Sequence, residues 1–519
     1  MNETGEKNHH PLELIFVGGI FLLFTVLFIL SLFKIFGIPY GIDFGEGFLA
    51  NMSYQLVSGA NPYHSLDNPP WIVSSYPPLY PLLNGLLMLF TGPSLLPGRL
   101  IAAASLIGIA TILILMLKHL KITDLVAFLA VALLLVFPWP FRWAQVVRVD
   151  TLGIFFAVSG LYVWLKGERK YGGVATAILF TLAVLTKHSF LAAPASVFVY
   201  SLLTKDPRIR KFIITFLITA VGGYFIINIL TGGGLFLHLF TYTANRFFSE
   251  RLTSGVGDYF ASTWIIHLIA LTAFLSKSPL SGNRSSFGWY YLLAHGTLLS
   301  YGFEGSDTNY LIEPLVSTLI LSAFTIDSVI ERNSESAAVN IFPVSLKAVI
   351  YTLLIITIIN VRFFSPNDFR LHRMDPEKLQ DGMELLQLVG ASPGLVLSED
   401  ASFPFIEGKP VVFQPYIMSL LSRTGKWDQE PFLKTIRDQE YGLVILRVDL
   451  NDPYHTDTES PAYEMAGFNR WTDEMEQAIL DNYELALFFD VGAGNYWYIY
   501  APPEAIHEGQ AHGEHDHVE

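Results

Sequence analysis

The chain of 519 residues is 52% hydrophobic, 14% aromatic and only 15% charged, with a mean hydropathy of +0.42. These values lie outside the soluble range and inside that of polytopic membrane proteins. The formal net charge of −14 is uneven, with Lys and Arg in short loops between apolar runs and acids after Pro366 and in the tail, and the absence of cysteine excludes disulfides, zinc–thiolate sites and a thiol nucleophile.

Residues 1–13 are polar and predict a cytoplasmic N-terminus. The run 14–36 is long for a signal-peptide core and no small-residue cleavage site follows it, so it is expected to be a retained span. Further apolar runs at 100–117, 125–137, 152–165, 174–185, 190–203, 212–230, 259–275, 289–301, 310–326 and 348–361 bring the expectation to about eleven transmembrane helices within 14–363. Lys118 and Lys121, then Lys166, Arg169 and Lys170, then Lys205, Arg208, Arg210 and Lys211, then Lys277 and Arg284 fall in alternate loops. The positive-inside rule makes those loops cytoplasmic and turns the others outward. The run 80–90 is short and bounded by Pro and Gly, which fits an interfacial helix within a long first external loop, 37–99.

The outer loops collect polar residues. The first carries Gly41-Ile42-Asp43-Phe44-Gly45-Glu46-Gly47, two carboxylates beside a membrane helix, where charge is costly and marks a functional site. Its glycines promise backbone freedom. Tyr63 and Tyr76 follow, then Arg142, Arg148 and Asp150 in the second loop and Lys187-His188 in a tight third turn. The fourth adds Asn245, Arg246, Glu250 and Arg251, and the fifth Glu304, Asp307 and Asn309. Acids and bases from five loops on one face can grip an anionic headgroup and set a carboxylate against a hydroxyl. Arg99 and Arg362, at span ends, read as interfacial anchors, and Gly232-Gly233-Gly234 as a bend.

After residue 361 the composition becomes soluble. Strand-like runs at 394–398, 409–413, 442–448, 485–490 and 496–500 alternate with helical stretches at 376–388, 431–439 and 471–480, predicting an external α/β domain over 364–505. Ser398-Glu399-Asp400 is expected to be a solvated loop. The tail 506–519, with His507, His512, His515 and His517 among acids, is expected to be disordered.

The series Gly59-Ala60-Asn61-Pro62-Tyr63, Tyr76-Pro77-Pro78-Leu79-Tyr80, Gly98-Arg99-Leu100, Arg148-Val149-Asp150 and Thr186-Lys187-His188, behind an acidic first loop, resembles the GT-C glycosyltransferases over about residues 14 to 330. The likeness is to their RgtA/B/C/D-like members and to the protein-mannosyltransferase and aminoarabinose-transferase relatives. It implies a multi-pass enzyme of the cell membrane that transfers a sugar from a polyprenyl-phosphate donor to a lipid, glycan or protein acceptor on the non-cytoplasmic face. It also implies a first-loop acid, Asp43 or Glu46, as general base, with inversion at the sugar. Many relatives have adjacent Asp and Glu, so the spacing here leaves both candidates open, with Asp43 favoured. Asp150 corresponds to a supporting acid. Lys187, His188, Arg148 and Arg246 are the expected phosphate ligands, and Tyr63, Tyr76, Glu304, Asp307 and Asn309 the expected substrate contacts. No organic cofactor or nucleic acid is called for, and a divalent cation is neither required nor excluded. The alternative is a transporter or flippase of a lipid-linked saccharide, which predicts polar residues within the spans and related halves of the chain.

Overall fold

The computed structural model describes residues 11–167, 171–243, 245–275, 285–335, 346–364, 376–451, 470–491 and 496–504. The part up to residue 364 is helical, and a small mixed sheet follows it. All eleven expected spans fall on helix. Among the described residues, five helices are long and apolar enough to cross a membrane: Glu13–Phe36, Leu96–His119, Ile209–Leu230, Ser249–Leu275 and Thr308–Ile330. The other runs form shorter helices, such as Asp124–Val136, Gly172–Thr186 and Ala192–Thr204, so a count of eleven does not follow from helix length. With this many apolar helices, the chain is built as an integral membrane protein.

Close approach holds the bundle. The helix Asp150–Lys166 packs against both Leu96–His119 and Gly172–Thr186. A Cβ on Gly153 would meet the Phe190 ring at 2.1 Å, and one on Gly160 the Phe180 ring at 2.4 Å. Small residues thus admit rings between helices, as lipid-embedded interfaces require. Gly232 and Gly233 adopt φ of +63° and +89°, and form the expected bend. The run 80–90 lies in the helix Leu79–Thr91, which buries Tyr80, Asn84 and Met88 and exposes Leu82, Leu86 and Phe90.

The sheet contains β1 (Leu395–Ser398), β2 (Tyr441–Leu446), β3 (Glu484–Asp490) and β4 (Tyr496–Ala501), in the order β1-β2-β4-β3. β1 runs parallel to β2, and β4 pairs antiparallel with both β2 and β3. Four of the five strand-like runs are therefore strands. The fifth, at 409–413, makes only one bridge, between Phe413 and Trp71 of the first loop. Pro410 cannot donate within a ladder, and a first-loop partner replaces a sheet neighbour. Three helices appear as expected, at Pro376–Ala391, Glu430–Arg437 and Asp473–Asn482. Pro415–Arg423 is an additional one.

The first loop is part of the soluble core. Trp71 is 2% exposed and packs edge-on against Phe432 and Trp427, with ring centroids 5.5 and 6.1 Å away. Its backbone N–H donates to the Val412 carbonyl at 2.8 Å, and the Gln414 N–H donates back to the Trp71 carbonyl at 3.0 Å. On the other side of the sheet, Ile38 and Tyr40 join Leu385, Val396, Phe403 and Trp497. Trp71→Ala is expected to cost roughly 3–5 kcal/mol, the range for emptying a buried aromatic site. A lowered melting temperature and faster proteolytic release of the sheet domain in detergent are the readouts; unchanged protease resistance would show that the junction does not depend on Trp71.

Candidate active site

The first helix ends at Phe36, before Gly37 and Pro39, and leaves carbonyls unpaired at its C-terminus. Arg99 supplies the donors. Its Nη1 donates to the carbonyls of Ile35 (2.9 Å) and Ile38 (2.6 Å), and Nη2 to that of Tyr40 (2.8 Å). Nε and Nη2 also donate to the two oxygens of Glu46, at 2.9 and 3.0 Å. Five bonds use the full capacity of a guanidinium. Arg99 is 1% exposed, so it is a buried ligand and not the interfacial anchor expected from its place at a span end. Arg362 lies outside the residues whose side chains are described.

Glu46 is equally occupied. It opens the helix Glu46–Val57 and is fully buried. Besides Arg99, its carboxylate accepts the N–H groups of Ile42 (2.9 Å), Asp43 (3.3 Å) and Val147 (2.9 Å). Glu46 thus fixes the backbone at Asp43 and beside Arg148, and does not itself reach the cavity.

Asp43 does. It borders a cavity of about 970 Å³ to which all five outer loops contribute. Arg148 donates to Asp43 Oδ1 through Nε at 2.9 Å and through Nη2, while an Arg142 Nη2 lies 3.8 Å from Oδ2. Both guanidinium groups stand over the Trp143 ring, 5.1 and 5.3 Å from its centroid. Burial acts to raise the Asp43 pKa, but Arg148 and Arg142 outweigh it and hold the carboxyl below its ordinary range. Gly45 has φ of −88°, so its role is space: an added Cβ would sit 2.4 Å from the Arg148 guanidinium. Gly47 likewise lets the Ala401–Ser402 backbone approach.

On another wall, Lys187 Nζ donates to Asp150 Oδ1 at 2.8 Å and lies 4.0 Å from the Tyr310 ring centroid. Asn309 donates to the same oxygen at 2.9 Å. Burial opposes the Lys187 charge, but Asp150 raises its pKa overall, so it stays cationic. His188 faces the cavity as a neutral imidazole, since burial and then Lys187 push its pKa down to about 4.

The sheet domain closes the remaining side with Gln414, Tyr416, Arg447 and Arg470. Ser398-Glu399-Asp400 is buried and not a solvated loop: Glu399 pairs with Arg470 at 3.0 Å, and Ser402 Oγ accepts the Gly41 N–H at 2.8 Å. Burial raises Asp400 to about 6, against hydrogen bonds from Ser402.

No family model and no curated protein matches the chain. Its structure is similar to that of ArnT from Cupriavidus metallidurans bound to undecaprenyl phosphate, with a TM-score of 0.58 at 15% identity, covering 92% of this chain and 97% of that one. The apo form of the same protein gives 0.59 at 14%, covering 94% and 99%. The apo oligosaccharyltransferase of Archaeoglobus fulgidus gives 0.51 at 10%, covering 90% and 73%. The chain has the GT-C glycosyltransferase fold.

On this GT-C scaffold, Asp43, Tyr76, Arg148, Lys187, His188, Glu304, Asp307 and Asn309 border the cavity. Four expected site residues do not. Glu46 holds the loop, Asp150 lies behind Lys187, and the buried Tyr63 donates its hydroxyl to the Tyr76 carbonyl at 2.8 Å. Arg246, partly exposed, meets Glu304 at 3.3 Å. The sheet-domain arginines were not anticipated: Arg447 follows a strand by one residue, and no sequence signal aims it at a distant loop.

Two measurements check this geometry. Glu46→Ala leaves Arg99 buried without its counter-charge, which is expected to cost roughly 3–5 kcal/mol. Asp43→Asn keeps an acceptor for Arg148 beside an open cavity and is expected to melt closer to wild type; equal losses would contradict the division. For Asp400, the folded carboxyl binds a proton more tightly than the unfolded one. Its contribution therefore falls as pH rises from the ordinary 3.8 through about 6, then levels off. Asp400→Asn is expected to raise the melting temperature relative to wild type more at pH 7.5 than at pH 4.5, and the reverse order would refute the assignment.

Proposed function

We propose that the protein is an inverting membrane glycosyltransferase that takes a hexosyl or pentosyl group from a polyprenyl-phosphate donor. The acceptor is a lipid, glycan or protein hydroxyl at the non-cytoplasmic face. One observation carries the reading: of Asp43 and Glu46, only Asp43 opens onto the cavity, and it does so among Arg142, Arg148 and Lys187. The GT-C fold, and the undecaprenyl phosphate bound in a structurally similar protein, support it. The alternation of basic loops supports a cytoplasmic N-terminus and an external sheet domain.

Asp43 takes the acceptor hydroxyl proton as that oxygen attacks the anomeric carbon from the face opposite the phosphate. The anomeric carbon–oxygen bond breaks, and polyprenyl phosphate leaves as an anion that needs no proton. Lys187, Arg142 and Arg148 neutralise the charge growing on it, a task suited to ammonium and guanidinium groups. With donor bound, Arg148 shares its donors with the phosphate, which relieves Asp43 of part of its positive surroundings and makes it a better base. Glu46 and Arg99 position this pair, and Asp150 positions Lys187. Protein cations suffice for the phosphate, so transfer is expected to persist in EDTA.

Transfer from labelled polyprenyl-phosphate sugars in membranes tests the proposal. Asp43→Asn is expected to lower the rate about 10²–10⁴-fold, the usual contribution of a general base. Lys187→Gln is expected to weaken donor binding as well. Undiminished transfer by Asp43→Asn would end the base assignment, and efflux of intact lipid-linked sugar without transfer would favour a transporter.

A further inference from the structure

Two guanidinium groups on the sheet-domain side of the cavity wall have no part in the step just described. Arg447 follows β2, and Arg470 precedes the helix Asp473–Asn482. Glu399 ties them together: its Oε1 accepts from Arg470 Nη1 at 3.0 Å and its Oε2 from the Arg447 backbone N–H at 2.5 Å. Arg470 lies 4.2 Å from the centroid of the Phe44 ring, so it rests on the residue next to Asp43. Arg447 lies 4.9 Å from the Trp497 ring centroid. Its Nε is shut off from water and has no acceptor among the described residues.

No cavity acid forms an ion pair with Arg447 among the described residues. Asp43 is held by Arg148, Glu304 meets Arg246, and Asp307 caps the N–H of Thr308 at 2.6 Å. Burial, and then the neighbouring Arg470, pull the Arg447 pKa down against the opposing pull of Glu399, Asp400 and Asp43. A guanidinium N–H shut off from water without an acceptor is costly, and a bidentate oxyanion matches the fork. The cavity of about 970 Å³ has room for a second group beside a sugar phosphate.

We propose that Arg447 and Arg470 form an oxyanion subsite that binds a phosphate or carboxylate of the acceptor, so that the sugar is transferred to an anionic acceptor. This rests on the assignment of the Lys187 and Arg148 wall to the donor. The sheet domain then selects the acceptor, and it does so from beside the loop that carries the base.

The test uses the full chain in nanodiscs. Glucose 6-phosphate, glucuronate and glucose share a ring and differ in charge, and undecaprenyl phosphate probes the donor wall. Wild type is expected to bind one of the two anions at least about ten-fold more tightly than glucose. Which anion it prefers identifies the group. Arg447→Gln is expected to abolish that preference and leave undecaprenyl phosphate affinity within about two-fold. Arg447→Lys, which keeps charge without the fork, is expected to fall between. The side chain makes no ion pair among the described residues, and Arg470→Gln provides a second variant should Arg447→Gln fold poorly. Absence of an anion preference in wild type, or its survival in both glutamine variants, overturns the subsite. So does a parallel loss of undecaprenyl phosphate affinity, which would assign Arg447 to the donor. If wild type binds an anion but no undecaprenyl phosphate, the donor reading fails and the subsite stands.

Discussion

The buried pair of Arg99 and Glu46 is the constraint on which the rest depends. Arg99 fills the C-terminal carbonyls of the first helix, and Glu46 fills the N–H groups of the loop that follows. Neither side chain has spare bonding capacity, and neither sees water. Such a pair gives little net stability over an apolar alternative, because desolvation offsets attraction. Its effect is geometric. Because Glu46 also accepts the Val147 N–H, one carboxylate registers the first loop against the second and brings Asp43 opposite Arg148.

Two carboxylates three residues apart therefore have different physical fates. One faces inward and is saturated by donors, so it has no room for a substrate proton. The other faces the cavity and keeps an oxygen about 3.8 Å from Arg142, a contact loose enough to exchange. Six cations and three carboxylates border the cavity, an excess that favours anionic occupants. The acids are not spread evenly, since Asp150 answers Lys187 from behind the wall. Charge on the wall is thus held in position without being cancelled at its surface.

Most of the helical architecture was legible in the sequence, because long apolar runs report directly on helices. The gathering of five loops at one cavity was legible because basic loops alternate with them along the chain. The role of Arg99 was not, since an arginine at a span end looks alike whether it faces headgroups or a buried glutamate. Ser398-Glu399-Asp400 failed similarly: what buries it is Gly41 and Ser402, and a contact across some 360 residues leaves no local pattern. The run at 409–413 has strand composition, but its partner is Trp71, and composition does not name partners. The glycines of the first loop were noticed for freedom, whereas Gly45 and Gly47 serve by lacking a Cβ.

That last difference bears on how the two parts of the chain act together. Gly47 abuts the backbone at Ala401–Ser402, Gly41 lies against Asp400, and a Cβ on Gly382 would strike the Tyr40 ring at 2.3 Å. A loose tether between membrane and sheet domains needs none of these close approaches. Here the loop that carries Asp43 is clamped from below by Glu46 and from above by the sheet domain, with Arg470 stacked on Phe44. On the proposed reading, an acceptor that engages Arg470 would therefore pull on the residue beside Asp43. Under the proposed function, acceptor recognition and the placing of the carboxylate would in this way be one mechanical event, with the sheet domain as a wall of the cavity.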